Sequence, residues 1–221
     1  MEEIKIIERY VAGLTLLQEA HGYSHVDRVR RWGLLIAGKE GYQETKRVEA
    51  AALLHDIGLS KQGDRRNHGD VSAEMAESFL KQNNLFPPDA INEICLAIRL
   101  HNRKLPRANL LSAILMDADI LDLLGPIGLL RSAVSEGGHL PEYDVQNFRT
   151  DAWKAKNDFF DQRYAKSEKI TNNMIEQLNF QASCYDNLTL SASKKLAKPY
   201  AAYLYRFIAD LESQLKTIID L

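Results

Sequence analysis

Apolar residues recur at steps of three and four along almost the whole chain. Ile4, Ile7, Val11, Leu14 and Leu17 form one stripe over residues 4–19, which predicts an amphipathic helix ended by Gly22. Ser24 is placed to cap a second helix, with Asp27 three residues on in a capping-box position. Val26, Val29, Trp32, Leu35 and Ile36 give that helix its apolar face, and Gly38 and Gly41 close it. His25 falls in its first turn, with Arg28 three residues on and on the same side. A third helix runs from about Glu44 into Ala51-Ala52-Leu53-Leu54-His55-Asp56-Ile57-Gly58. Its alanines permit close approach of neighbouring helices, and Gly58 can close it.

Residues 59–69 are polar and glycine-containing and read as a loop. Asp70 or Ser72 starts the next helix, which carries Ala73, Met75, Ala76, Phe79 and Leu80. Pro87-Pro88-Asp89 is a start signal, because proline's missing N–H does no harm in a first turn. That helix runs through Ile91, Ile94, Cys95 and Ile98 to His101, followed by a basic connector over residues 102–107. A helix from about Leu110 to Leu124 carries Asp117 and Asp119, and Gly125-Pro126 breaks it. A short helix over 126–135 precedes Gly137-Gly138. Two or three more follow from about Asp144. The last spans roughly Ser191 to Ile219, and Pro199 kinks it or marks its start. No repeat, low-complexity tract or β-alternation interrupts the pattern. The expectation is an all-α single domain over 1–221, with a motif core at about 20–135 and a C-terminal helical extension at about 144–221.

Composition narrows the function classes. The 221 residues carry 28 basic and 30 acidic side chains, a balance that argues against a broad nucleic-acid-binding surface. Cys95 and Cys184 are too few for a disulfide framework and read as small core hydrophobes in a reducing compartment. No apolar run reaches the roughly 18 residues of a membrane span, and Met-Glu-Glu does not open like a signal peptide. A cytoplasmic location is expected.

The chemistry gathers at the His-Asp pair. Neither His55 nor Asp56 suits a buried helix end unless something pairs with it, and a divalent cation would do so. His25 lies thirty residues upstream, and Asp119 lies downstream in Leu115-Met116-Asp117-Ala118-Asp119-Ile120-Leu121. This order resembles the HD superfamily of metal-dependent phosphohydrolases. The flanks match as well: Ser24-His25-Val26-Asp27-Arg28-Val29, then Leu-Leu-His-Asp-Ile-Gly, then Asp117-Ala118-Asp119 before Leu121-Asp122 and Gly125-Pro-Ile-Gly128. The resemblance covers about residues 20–135 and fades after that.

The resemblance implies an HD-domain helical bundle and a metal site at His25, His55, Asp56 and Asp119, with Asp56 also counted among the catalytic residues. Two imidazoles and two carboxylates suit one divalent transition metal per chain. Mn²⁺ is preferred, with Fe²⁺, Co²⁺, Ni²⁺, Zn²⁺ or Mg²⁺ as alternatives to it. Such an ion activates water for attack on phosphorus. Asp117 sits about 200° around the helix from Asp119, so both cannot face one site equally; Asp119 is taken as ligand and Asp117 as a packing or supporting carboxylate. Two positions depart from relatives. Ile120 stands where Arg is frequent, and Leu59 stands where some nucleotidases carry a catalytic Glu.

His68 and His101 are expected to contact phosphate or act as acid; in some relatives histidines in these intervals complete a second metal site. Lys61, Arg66, Arg103 and Lys104, with Arg65 and Arg107 nearby, supply cations for phosphate. Tyr23 and Trp32 can stack on a base but suit the core equally, and His21 and His139 read as structural. The expected substrate is a small nucleotide, a nucleoside triphosphate or monophosphate. No nucleic-acid polymer and no membrane are expected as partners, and the pattern is compatible with a homodimer. The closest-looking branch contains nucleoside triphosphate pyrophosphohydrolases. The alternatives are a nucleotide-sensing module without turnover and a di-iron oxygenase, which would need both His68 and His101 as ligands.

Overall fold

The structure, a computed structural model, describes residues 2–14, 21–61, 67–103, 108–136, 140, 148–166 and 168–219. It is all-α: no strand occurs among the described residues. The chain divides into two compact units, Met1–Asp122 with Thr189–Ser193, and Leu123–Leu188 with Lys194–Leu221.

The first unit is built from α1 (Glu2–Gly13), α2 (Tyr23–Glu40), α3 (Thr45–Leu54), α4 (His68–Gln82), α5 (Pro88–Leu100) and α6 (Leu110–Leu123). The central element is α3, which packs on α1, α2 and α5, while α4 lies along α5 and against a 3-10 turn at Ile57–Ser60. Residues Ala50 to Leu54 are all buried, so the C-terminal half of α3 is enclosed on every side, while Thr45, Lys46, Arg47 and Glu49 keep its first turns polar. Gly33 in α2 faces Val48 and, on α6, Ile114 and Ala118. Ile7, Val29, Ile36, Leu80, Ile94, Ile98 and Ile114 complete the core.

Several helix ends differ from the sequence reading. The α1 stripe ends at Gly13, and Leu17 lies outside the described residues. Ser24 is not a cap: Gly22 holds the N-cap position, and its carbonyl accepts from the His25 and Val26 amides at 2.9 and 3.4 Å. Asp27 therefore lies inside the helix, where it binds Arg30 and Arg31. Gly41 closes α2 with φ of 73°, whereas Gly38 remains helical. His68 starts α4 rather than sitting in a loop. Pro87 and Pro88 begin α5 as expected.

The second unit contains α7 (Gly125–Glu136), α8 (Asn157–Ala165), α9 (Met174–Ser183) and most of α10 (Ser191–Ile219), with α9 packed on α7 and α8. Gly125 turns the chain at φ of 69°. Asn173 caps α9 by accepting the Glu176 amide at 2.9 Å, and Glu176 binds Arg163 at 2.6 Å. Phe148, Ile175 and Leu215 pack with Trp153 and Leu211. Pro199 is accommodated within α10. No described helix is long and apolar enough to cross a membrane.

Candidate metal centre

The helix ends of the first unit converge on one carboxylate. Leu54 is the last residue of α3, so His55 and Asp56 lie where the helix gives way to the 3-10 turn. Both are buried, at 0% and 2% exposure. Four imidazole Nε2 atoms surround the Asp56 carboxylate. His25 and His55 each lie 3.5 Å from Oδ2, while His68 and His101 lie 3.3 and 3.5 Å from Oδ1. Asp119 Oδ1 lies 3.5 Å from His25 Nε2. These separations exceed a normal N–H···O bond. They suit donor atoms arranged about a shared cation, since two ligands ~2.1 Å from one ion sit roughly 3.0–3.4 Å apart.

The far side of each ring is committed elsewhere. His55 Nδ1 donates to the Ala52 carbonyl at 2.7 Å and His101 Nδ1 to the Ile98 carbonyl at 2.6 Å. His25 Nδ1 lies 2.8 Å from Asp122 Oδ2. Such bonds place the proton on Nδ1 and leave Nε2 as a lone pair aimed inward, the tautomer that a metal requires. Burial pushes His55 down to about 4, which keeps it neutral. Its Nε2 is fully buried and has no hydrogen-bond partner among the described residues. An orphaned buried lone pair is costly unless something else engages it. Burial opposes charge on Asp56, yet the surrounding imidazoles override it and hold the carboxyl well below its ordinary value. The donor set therefore fits a divalent cation. His25, His55 and Asp119 form one group able to hold an ion, His55, Asp56 and His101 a second, and His21, His25 and Asp56 a third.

The two aspartates of α6 separate as the helical angle requires. Asp119 turns to the cluster. Asp117 is fully buried and accepts the backbone amides of Thr189 and Leu190 at 3.1 and 2.9 Å. Burial raises its carboxyl despite those bonds. On the Oδ1 side, His68 Nε2 lies 3.0 Å from His101 Nε2, and the Asn102 amide lies 3.2 Å from His68 Nδ1. With Asn102 donating to Nδ1 and His101 protonated on Nδ1, His68 Nε2–H donates to His101.

Two residues escaped the sequence reading. His21, taken as structural, has Nδ1 2.8 Å from Asp56 Oδ2. Its place four residues before His25 was the available signal. Asp122, fully buried, receives His25 Nδ1 and the Arg28 guanidinium, whose Nε lies 2.7 Å away. Of the expected phosphate cations, Arg103 pairs with Asp70, beside the His68–Asn102 contact. Lys61 is exposed and borders a pocket of about 350 Å³ lined by Tyr10, Glu74, Met75, Ser78, Phe79 and Gln82, none of them in the cluster. Arg66 and Lys104 lie outside the described residues, as do Arg65, Arg107 and His139. Tyr23 is 39% exposed and Trp32 is partly buried.

An all-helical unit whose helix ends deliver imidazoles and carboxylates to one buried point forms a candidate centre for a metal ion. The chain carries an HD domain: that family matches residues 22–124, the stretch that holds His25, His55, Asp56 and Asp119. Solved structures share the fold. A Lactobacillus plantarum protein aligns with TM-score 0.72 at 20% identity, covering 98% of each chain. Bacillus subtilis YpgQ, in complex with ADP, aligns at 0.66 and 18%, covering 96% of this chain and 95% of its own. An HD-superfamily hydrolase from Bacillus thuringiensis aligns at 0.65 and 19%, covering 97% of each. The sequence matches no curated protein.

Proposed function

We propose that the protein hydrolyses a phosphate ester or anhydride bond of a small nucleotide, a nucleoside triphosphate or monophosphate, at a metal held by His25, His55, Asp56 and Asp119. The observation that carries this reading is the buried, unsatisfied Nε2 of His55 facing the buried carboxylate of Asp56. When bound, a divalent ion, Mn²⁺ foremost, supplies an acidified water and polarises the phosphoryl oxygen.

The protein's own groups then divide the remaining work. His68 is the more open of its pair, with 17% of its side chain exposed against 1% for His101. It is therefore the member able to hand a proton to a leaving oxygen, with His101 behind it and Asn102 holding its ring. Arg103 lies one residue beyond Asn102 and offers a guanidinium whose charge Asp70 partly offsets. Lys61, Arg66 and Lys104 are the other proposed phosphate contacts. The overall charge of −2 favours a small substrate over a polymer, whose binding needs many neutralising cations. YpgQ's complex with ADP supports a nucleotide substrate. A cytoplasmic setting belongs to the same reading.

One observation favours a second reading. The two oxygens of Asp56 face separate imidazole pairs, so Oδ1 with His101, and with His68 once an ion displaces its Nε2 proton, can serve a second ion, with Asp56 bridging. Metal analysis of purified protein, with a nucleotide panel under Mn²⁺, Mg²⁺, Co²⁺ and Ni²⁺, decides between them. One ion per chain and release of phosphate or pyrophosphate from nucleotides is expected. Two ions, falling to one in His101→Ala, establishes the bridged site. No hydrolysis of any nucleotide removes the proposed substrate class.

A further inference from the structure

Five imidazoles crowd Asp56, but they do not approach it alike. Four present Nε2 at 3.3–3.5 Å. His21 presents Nδ1 at 2.8 Å, the separation of an N–H···O hydrogen bond. It is also the most open of the five, with 31% of its side chain exposed. It precedes α2, whereas His25 is buried in the first turn of that helix. The two rings meet edge to face, 5.6 Å between centroids.

A protein nitrogen at 2.8 Å from a carboxylate oxygen carries a proton, so His21 Nδ1 has no lone pair to give a cation. A carboxylate oxygen has two lone pairs and can accept this bond while serving as ligand through the other. We infer that His21 is a positioning residue for the metal centre: its Nδ1–H fixes the Asp56 carboxylate so that Oδ2 is held toward His25 and His55. This rests on the reading of the cluster as a metal site. Without His21, Asp56 would lose its shortest side-chain contact among the described residues. Its carboxylate would be free to rotate, which lowers affinity for any ion placed between it and His55.

Mn²⁺ titration of the purified protein, followed by electron paramagnetic resonance, tests the inference, with His21→Leu and His21→Asn as variants and nitrogen couplings counted on ¹⁵N-histidine-labelled protein. Mn²⁺ affinity is expected to fall about 10–100-fold in His21→Leu. It is expected to recover in large part in His21→Asn, whose amide N–H can replace the lost donor. The number of coupled imidazole nitrogens is expected to be the same in all three proteins. Loss of one coupled nitrogen in both variants overturns the inference and makes His21 a ligand. Tight wild-type binding with unchanged affinity in His21→Leu overturns it while leaving the metal site intact. A wild-type protein that binds no Mn²⁺ brings down the metal-site reading and this inference together.

Discussion

His25 Nδ1 and Asp122 Oδ2 lie 2.8 Å apart, both side chains buried, although 97 residues separate them in sequence. The same carboxylate is gripped by the Arg28 guanidinium at 2.7 and 3.1 Å, so one buried charge orients both residues. Replacing Asp122 with Ala removes the acceptor that fixes the His25 tautomer. Mn²⁺ affinity measured by calorimetry is expected to fall about 10–100-fold with His25 itself untouched. Unchanged affinity would remove the orienting role assigned to Asp122.

The aspartates of α6 make opposite predictions. Asp119→Ala is expected to abolish tight metal binding while leaving thermal stability near that of the metal-free wild type, since the side chain is 26% exposed. Asp117→Ala is expected to retain the metal but lose about 2 kcal/mol of stability, because two backbone amides lose a charged acceptor. Denaturation curves and metal analysis on the two variants check both halves. The reverse ranking would move the ligand to Asp117.

Gly58 is expected to be intolerant of a methyl group. A Cβ there would lie 2.6 Å from the His68 carbonyl oxygen and 2.8 Å from both the amide and the hydroxyl of Ser72. Backbone cannot yield as a side chain can, so Gly58→Ala should cost about 1–3 kcal/mol. It should also displace His68. Gly33→Ala is the contrast. Its Cβ meets the Val48 methyl end at 2.9 Å, and the helical gain of alanine offsets part of the crowding. Melting temperatures of the pair test this, and equal losses would contradict it.

Cys95 gives a pH signature away from the cluster. Burial pushes its thiol up to about 11 from an ordinary 9.0. Between those values the unfolded chain ionises and the folded chain does not, so this contribution is fully present below pH 9 and is lost as pH rises toward 11. The folded protein should react slowly with a thiol reagent at pH 9 and at the ordinary rate once denatured. Rapid labelling of the native protein would show that the thiol is not sheltered.

The sequence made the helices legible because each buries one stripe, and the all-helical architecture followed from Ile4, Ile7 and Val11 or Ile91, Ile94 and Ile98 without knowledge of contacts. It also pointed to His25, His55, Asp56 and Asp119, which the fold brings together. What it did not yield depends on partners distant in the chain. Asp122 acquires its role only through His25 and Arg28. His21 acquires its own only because α3 ends beside it. Ser24 failed as a cap for a local reason: the Gly22 carbonyl already receives the first helical amides, so the helix starts before the serine. Leu59 and Ile120 depart from the residues frequent in relatives. Arg28 supplies, from another helix, a cation for an α6 carboxylate that Ile120 cannot.

Asp117 ties α6 to Thr189 and Leu190, which come 72 and 73 positions later, after the 123–188 stretch of the second unit. A growing chain emerges from its N-terminus, so residues 1–122 are present long before the amides that Asp117 needs. Until then its carboxylate lacks these amide donors and resists burial, and closing so long a loop is slow. The helix that carries Asp119 is thus expected to settle late in folding. A chain ending at residue 188 should hold α6 loosely, even with every proposed ligand in place.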